Sequence, residues 1–106
     1  MKTTIAVDFD GVIHKYSKGW NDGTIYDEPV EGAFEAMEIL TRKGFNVVIF
    51  TARPNEDGKI GQYILEHWKA EDLDVPEITN KKPRAFAYID DRGIRFTNWR
   101  DMLNYF

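Results

Sequence analysis

Three short apolar runs, at residues 4–7, 45–50 and 85–89, each stop at a polar residue, and the segments between them carry apolar residues at helical spacing. Nearly unbroken apolar runs of this length are what strands covered on both faces require. Val30, Ala33, Phe34, Met37 and Leu40 follow the i, i+3, i+4, i+7 rhythm of one helix face, and Ile60, Tyr63, Ile64, His67 and Trp68 repeat it. Strands alternating with helices imply parallel strands joined by right-handed crossovers. The expected fold is α/β: a single Rossmann-like, three-layer domain over residues 1–106, with a mostly parallel sheet.

The local signals set expected boundaries. A helix is predicted over 30–43, with Pro29 suiting its first turn, Glu31 and Glu35 its positive end, and Lys43-Gly44 its stop. A second helix is predicted over 58–69. Residues 75–79 form a short strand that Pro76 confines to an edge or a start. The last helix spans 99–106, capped by Asn98 or Thr97. His67 falls on the apolar face of its helix and is read as a packed side chain.

Composition removes whole classes of function. The 106 residues leave room for one core, and 42% are hydrophobic. The absence of cysteine excludes disulfides, thiolate nucleophiles, zinc ribbons and iron–sulfur centres. A formal charge of −4 argues against a chain-wide basic field for nucleic acid. No apolar run approaches the roughly 20 residues of a membrane span, and the first residues carry no apolar leader. No membrane association and a cytoplasmic location are expected.

One connection is too long for a plain crossover. Residues 11–28 separate the first strand from the first helix, where about 2–6 residues are usual. Asn21-Asp22-Gly23 is a hairpin turn signal between residues 12–16 and 24–26. A short β-hairpin flap carrying His14, Tyr16, Trp20 and Tyr26 is expected there. Trp20 is a candidate substrate contact, with packing of the flap as the alternative. His14 lies near Asp10 and is a further candidate substrate contact, though no chemistry requires it.

The chemistry gathers at the strand ends. In a parallel α/β sheet, ligands bind beyond the carboxyl ends of the strands. The first strand ends in Asp8 and Asp10, the second in Thr51, and the last strong one in Asp90 and Asp91. Two carboxylates about 5 Å apart repel by roughly 3 kcal/mol at an effective dielectric near 20. Four together call for a cation, a proton or a lysine. Mg²⁺, which takes one or two carboxylates plus water and phosphate oxygens, is the simplest solution, and Lys82 adds a fixed positive charge. Asp8 and Asp10 share one side of an extended chain while Phe9 points into the core. Such a pair suits covalent catalysis on phosphorus: one carboxylate attacks, and the other moves the proton. The Thr51 hydroxyl and the backbone N–H groups that follow it, at Ala52 and Arg53, can hold phosphate oxygens. The Arg53 side chain either grips a second anionic group or forms a surface salt bridge.

At these residues the chain resembles the haloacid dehalogenase-like superfamily of phosphohydrolases. Asp8-Phe9-Asp10-Gly11-Val12 is similar to its first motif and Val48-Ile49-Phe50-Thr51 to its second. Lys82-Pro83 is similar to the third, where Lys81 is the other candidate, and Tyr88-Ile89-Asp90-Asp91 to the fourth. The resemblance implies an aspartyl-phosphate on Asp8, general acid/base work by Asp10, phosphoryl binding by Thr51 and charge stabilisation by Lys82. It also implies Mg²⁺ held by Asp8, Asp10 (through its backbone carbonyl) and Asp90, with Asp91 either bound through water or placed behind these ligands. Aspartate at position 10 resembles the phosphatase and phosphomutase branches. Neither residues 11–28 nor the 33 or so residues after Thr51 admit a folded cap, so the chain looks like the capless members. These act on large substrates such as phosphoproteins or polynucleotide ends, or borrow a lid by forming a homo-oligomer; a small phosphorylated molecule is the further alternative.

Two other classes fit less well. A receiver-type phospho-accepting domain also gathers acids, Thr and Lys around Mg²⁺, but in a different chain order from Asp8, Thr51, Lys82 and Asp90. A non-catalytic regulatory module would have no need of the complete set.

Overall fold

The sheet has five strands in the order β3-β2-β1-β4-β5, and every neighbouring pair is parallel. They are β1 Thr4–Asp8, β2 Asn46–Phe50, β3 Glu77–Thr79, β4 Ala87–Asp90 and β5 Ile94–Arg95; the helices are α1 Ala33–Arg42, α2 Lys59–His67 and α3 Trp99–Leu103. The structure, a computed structural model, describes residues 2–20, 22–55, 57–90 and 94–106. The molecule is a small α/β domain with a parallel sheet and three helices.

The central strand explains the register. Ile5, Ala6 and Val7 of β1 are all buried, as are Val47, Val48 and Ile49 of β2. Ile5 lies beside Val47 on one side and Ala87 on the other, and Val7 beside Ile49 and Ile89. A strand buried on both faces and both edges cannot slip without exposing apolar surface. β2 and β3 are laid down on one side of β1, and the chain then crosses to place β4 on the other. The sheet therefore has its switch point between β1 and β4, where ligands of open α/β sheets bind.

α1 buries Ala33, Phe34, Ala36, Met37 and Leu40, the face expected from the spacing, and packs on β2 and α3. It starts three residues later than the spacing suggests. Gly32 has φ +80°, a left-handed conformation that breaks the helix on its N-terminal side. Pro29 and Val30 are used elsewhere: Pro29 bridges to His14, and the Val30 N–H donates to the Ile13 carbonyl at 2.8 Å. α2 buries Ile60, Tyr63 and Ile64 and ends at His67, before extended Trp68. α3 is shorter than expected, and Asn98 caps it by accepting the Asp101 N–H. The Trp99 indole N–H donates to the Val12 carbonyl at 3.1 Å and ties α3 to the start of the loop after β1. β3 sits at the sheet edge immediately after Pro76, and β5, two residues long, has no counterpart among the expected elements.

The loop 11–28 is not a β-hairpin. Among the described residues its backbone contributes two isolated bridges, Asp10 to His14 and His14 to Pro29. The reason lies at its start. The Phe9 carbonyl accepts N–H groups from Val12, Ile13 and His14 at 3.3, 2.9 and 2.9 Å, so the chain winds into a tight turn instead of extending. That turn drives Val12 and Ile13 into the core, 4% and 0% exposed, where a flap strand would have carried them outward. The loop is closed at its neck by the Val30–Ile13 bond and by Lys15 N–H donating to the Glu28 carbonyl at 3.1 Å. Its tip turns tightly at Gly23, φ +83°, whose N–H donates to the Trp20 carbonyl at 2.7 Å.

Candidate active site

The carboxyl ends of β1, β2 and β4 carry the polar residues singled out in the sequence. Asp8 ends β1 beside Phe50, so Thr51 follows one step beyond the paired position. Asp90 ends β4, one residue past Ile89, the partner of Val7. Neighbouring strands lie about 4.8 Å apart, so Asp8 and Asp90 flank the switch point on adjacent strand ends. Asp8 accepts the Phe9 N–H through Oδ1 at 2.8 Å. Phe9 is fully buried and meets Tyr63 edge to face at 5.4 Å, which fixes the chain between the two aspartates. Gly11, at φ +82°, makes the reversal that follows. Asp91 lies outside the described residues.

Thr51 is 3% exposed, and its N–H donates to the Thr79 carbonyl at 3.0 Å. Its hydroxyl oxygen accepts the Arg53 N–H at 3.1 Å, a turn that leaves Ala52 at the exposed rim. A cavity of about 330 Å³ opens here, lined by Thr51, Arg53, Asn55, Ile78, Thr79, Asn80 and Lys81. Of the two lysines, Lys81 shares this cavity with Thr51, and its N–H donates to the Thr79 hydroxyl. The Lys82 ammonium lies over the Tyr88 ring, 4.8 Å from its centroid.

Asp10 has a different environment from Asp8. Its Oδ1 lies 2.9 Å from His14 Nδ1, and its Oδ2 accepts Arg53 Nε–H at 2.6 Å. Arg53 is 6% exposed, so neither a surface salt bridge nor an open grip on substrate describes its place here. It donates through Nη1 to the Gly23 carbonyl at 2.6 Å, which ties the loop tip to the site. Its guanidinium carbon lies 4.8 Å from the Trp20 ring centroid and 5.7 Å from that of Tyr16. Planar guanidinium groups are well suited to such faces. Trp20 therefore packs on Arg53 while remaining 54% exposed at the rim. Nη2 of Arg53 is buried and meets no hydrogen-bond partner among the described residues. Arg53 also lines a second cavity of about 470 Å³, together with Gly23, Ile25, Lys59 and Tyr63.

The loop's own polar groups brace this arrangement. The Ser17 hydroxyl and N–H hold the Asp27 carboxyl below the usual carboxylate range. The Tyr63 hydroxyl donates to the Asp27 carbonyl at 3.1 Å, and burial, with the Asp27 and Glu28 charges behind it, pushes that phenol well above its ordinary value. His67 stacks on Phe34 at 5.4 Å and is a packed residue of the helix, in agreement with its place on the apolar face.

The sequence places His14 near Asp10 without requiring a role for it; in the structure it is fully buried inside the loop. The one available signal was its separation of four residues from Asp10, which becomes a contact only because the chain turns at Phe9. The partner of Arg53, 43 residues away, had no sequence signal.

The donor set suits a hard divalent cation. Asp8 and Asp90 offer carboxylates on adjacent strand ends, while the Asp10 carboxylate is turned to His14 and Arg53, leaving its backbone carbonyl. Mg²⁺ commonly takes one or two carboxylates and fills its remaining positions with water and phosphate. Among the described residues no three His, Asp or Glu side chains gather as a ready-made metal cage. No helix among them is long and apolar enough to cross a membrane. Comparison with protein-family models, curated proteins and solved structures gives no match.

Proposed function

We propose that the protein is a Mg²⁺-dependent phosphatase of the haloacid dehalogenase-like type, cleaving a phosphate monoester through an aspartyl-phosphate on Asp8. The observation that carries this is the placement of Asp8 and Asp90 on the adjacent parallel strand ends that flank the switch point, with Thr51 at the end of the next strand. The wider architecture then corresponds to a Rossmann-like domain without a cap, and a cytoplasmic setting fits the cysteine-free chain.

In the first half-reaction an Asp8 oxygen attacks phosphorus, the bond to the leaving oxygen breaks, and Asp10 delivers a proton to that oxygen. In the second, water attacks phosphorus, the bond to Asp8 breaks, and Asp10 takes the proton from the water. Thr51 holds a phosphoryl oxygen, and a lysine of the 81–82 pair neutralises its charge. Asp8, the Asp10 carbonyl and Asp90 would hold Mg²⁺, with Asp91 bound through water or behind them, and the ion would offset the negative charge of phosphate and carboxylates. The carboxylate form of Asp10, accepting from His14 and Arg53, corresponds to the base it must be in the second half-reaction. Each oxygen retains a further acceptor site for water or a proton. With no cap, access to Asp8 is governed by loop 11–28 and its rim residue Trp20. That openness suits a phosphoprotein or a polynucleotide end, or a small phosphorylated molecule where a second copy of the chain supplies the lid.

The test is hydrolysis of an aryl phosphate, then of a panel of phosphorylated metabolites, oligonucleotides and peptides, with Mg²⁺. Turnover by the wild type and none by Asp8→Asn is the expected result. An Asp8→Asn variant with full activity removes the covalent route. A protein that holds a stable label from acetyl phosphate without turnover is a receiver, and one that does neither is a binding module.

A further inference from the structure

Asp10 is fixed from two sides, and the two donors come from different parts of the fold. Arg53 reaches its Oδ2 from the end of β2 at 2.6 Å, and His14 reaches Oδ1 from the loop at 2.9 Å. The second nitrogen of His14 decides the direction of that bond. Nε2 lies 3.0 Å from the backbone nitrogen of Asp27, and a backbone N–H only donates. Nε2 is therefore the acceptor, the ring proton sits on Nδ1, and Nδ1–H donates to Asp10. The ring itself is locked: it is fully buried, stacked on Phe9 at 5.5 Å and met edge-on by Tyr16, Tyr26 and Tyr63 at 5.9, 5.2 and 5.7 Å. A flipped ring would put carbon where each nitrogen now bonds, losing both the Asp10 and the Asp27 contacts.

Resting on the phosphatase reading above, we infer that His14 is the positioning residue of Asp10, holding the acid/base carboxylate in one rotamer through an Nδ1–H bond whose tautomer the Asp27 amide dictates. His14 itself does not contact substrate. Tyr16 shares the task at a cost, since it is the non-glycine residue with positive φ, +59°, among those described. That strained backbone sets its ring against both His14 and the Arg53 guanidinium. The loop after β1 is thus a frame for one carboxylate, built around a buried imidazole.

Two substitutions separate positioning from bulk. Asn places its amide nitrogen as far along the side chain as Nδ1 and keeps a donor toward Asp10; Phe keeps the ring and has no donor. With both variants folded by circular dichroism, His14→Phe is expected to lower kcat by roughly 10- to 100-fold with little change in KM, the scale set by a misplaced catalytic group. His14→Asn is expected to recover most of that loss. Equal damage in the two, or full activity in His14→Phe, overturns the inference. A second measurement does not depend on turnover or on either variant folding. Nitrogen-15 spectra of the wild type at neutral pH should show Nδ1 protonated and Nε2 bare in one histidine, and the Nδ1–H signal of that ring should move in Asp10→Asn. A ring protonated at Nε2, or one insensitive to residue 10, overturns it as well. Should the wild type cleave no phosphate ester, the phosphatase reading fails, and the nitrogen spectra alone then decide whether His14 holds Asp10.

Discussion

Arg53 and Asp10 meet at 2.6 Å, with side chains 6% and 19% exposed, and so join the turn after β2 to the turn after β1 in a nearly dry ion pair. Removing one partner of such a pair leaves a buried charge uncompensated, commonly at a cost of 3–5 kcal/mol. Arg53→Met is therefore expected to lower the unfolding free energy by about 3 kcal/mol in urea titrations, and to free the loop tip by losing the bond to the Gly23 carbonyl. Arg42→Met, which breaks the exposed pair with Asp72, should change stability far less.

Gly23 sits under the Trp20 ring. A Cβ at this position would lie 2.9 Å from Trp20 Cζ2, and the backbone is left-handed at φ +83°. Gly23→Ala should push the indole off Arg53 and destabilise the fold by about 1–2 kcal/mol from the backbone conformation alone. A red-shifted tryptophan emission from the displaced Trp20, with unchanged far-ultraviolet circular dichroism, is the expected signature.

Tyr63 supplies a pH dependence with a definite sign. Its phenol is held above the ordinary value of 10.0 by burial, so the folded chain retains this proton where the unfolded chain has lost it. The folded state then binds more protons than the unfolded one as pH rises past about 10, and stability falls over that range. Urea midpoints measured from pH 8 to pH 11 should show the decline, and Tyr63→Phe should flatten it. At neutral pH the same variant should cost about 1 kcal/mol through the lost bond to the Asp27 carbonyl.

If Asp8 and Asp90 hold a divalent ion together, the ion stabilises the folded chain by mass action, about 2.7 kcal/mol at a hundredfold excess over Kd. Mg²⁺ should raise the wild-type melting temperature, and the rise should vanish in the double variant Asp8→Ala, Asp90→Ala. A shift that survives both substitutions would place the ion elsewhere.

The parts of this fold that repeat were readable from the chain. β1, β2 and β4 are written as apolar runs, and α1 and α2 as helical spacing, because burial of a whole strand or one helix face forces those periods. The strand ends followed, and with them the shared edge of Asp8, Thr51 and Asp90. β5, at two residues, is too short to have a period. The loop was misread because Asn21-Asp22-Gly23 is a strong turn signal, whereas the winding of the chain onto the Phe9 carbonyl depends on Val12 and Ile13 finding a core that only the folded sheet provides. Arg53 and His14 illustrate the same limit: their positions near the strand ends were visible, but what they touch is set by packing between distant segments.

The indole of Trp99 closes its hydrogen bond on Val12 across 87 positions of the chain. On a ribosome, which releases the N-terminal part first, β1 and its loop emerge long before that anchor exists. The loop after β1 would therefore spend most of synthesis without its last fastening, and the nascent chain should gain the final loop geometry only when residue 99 clears the exit tunnel.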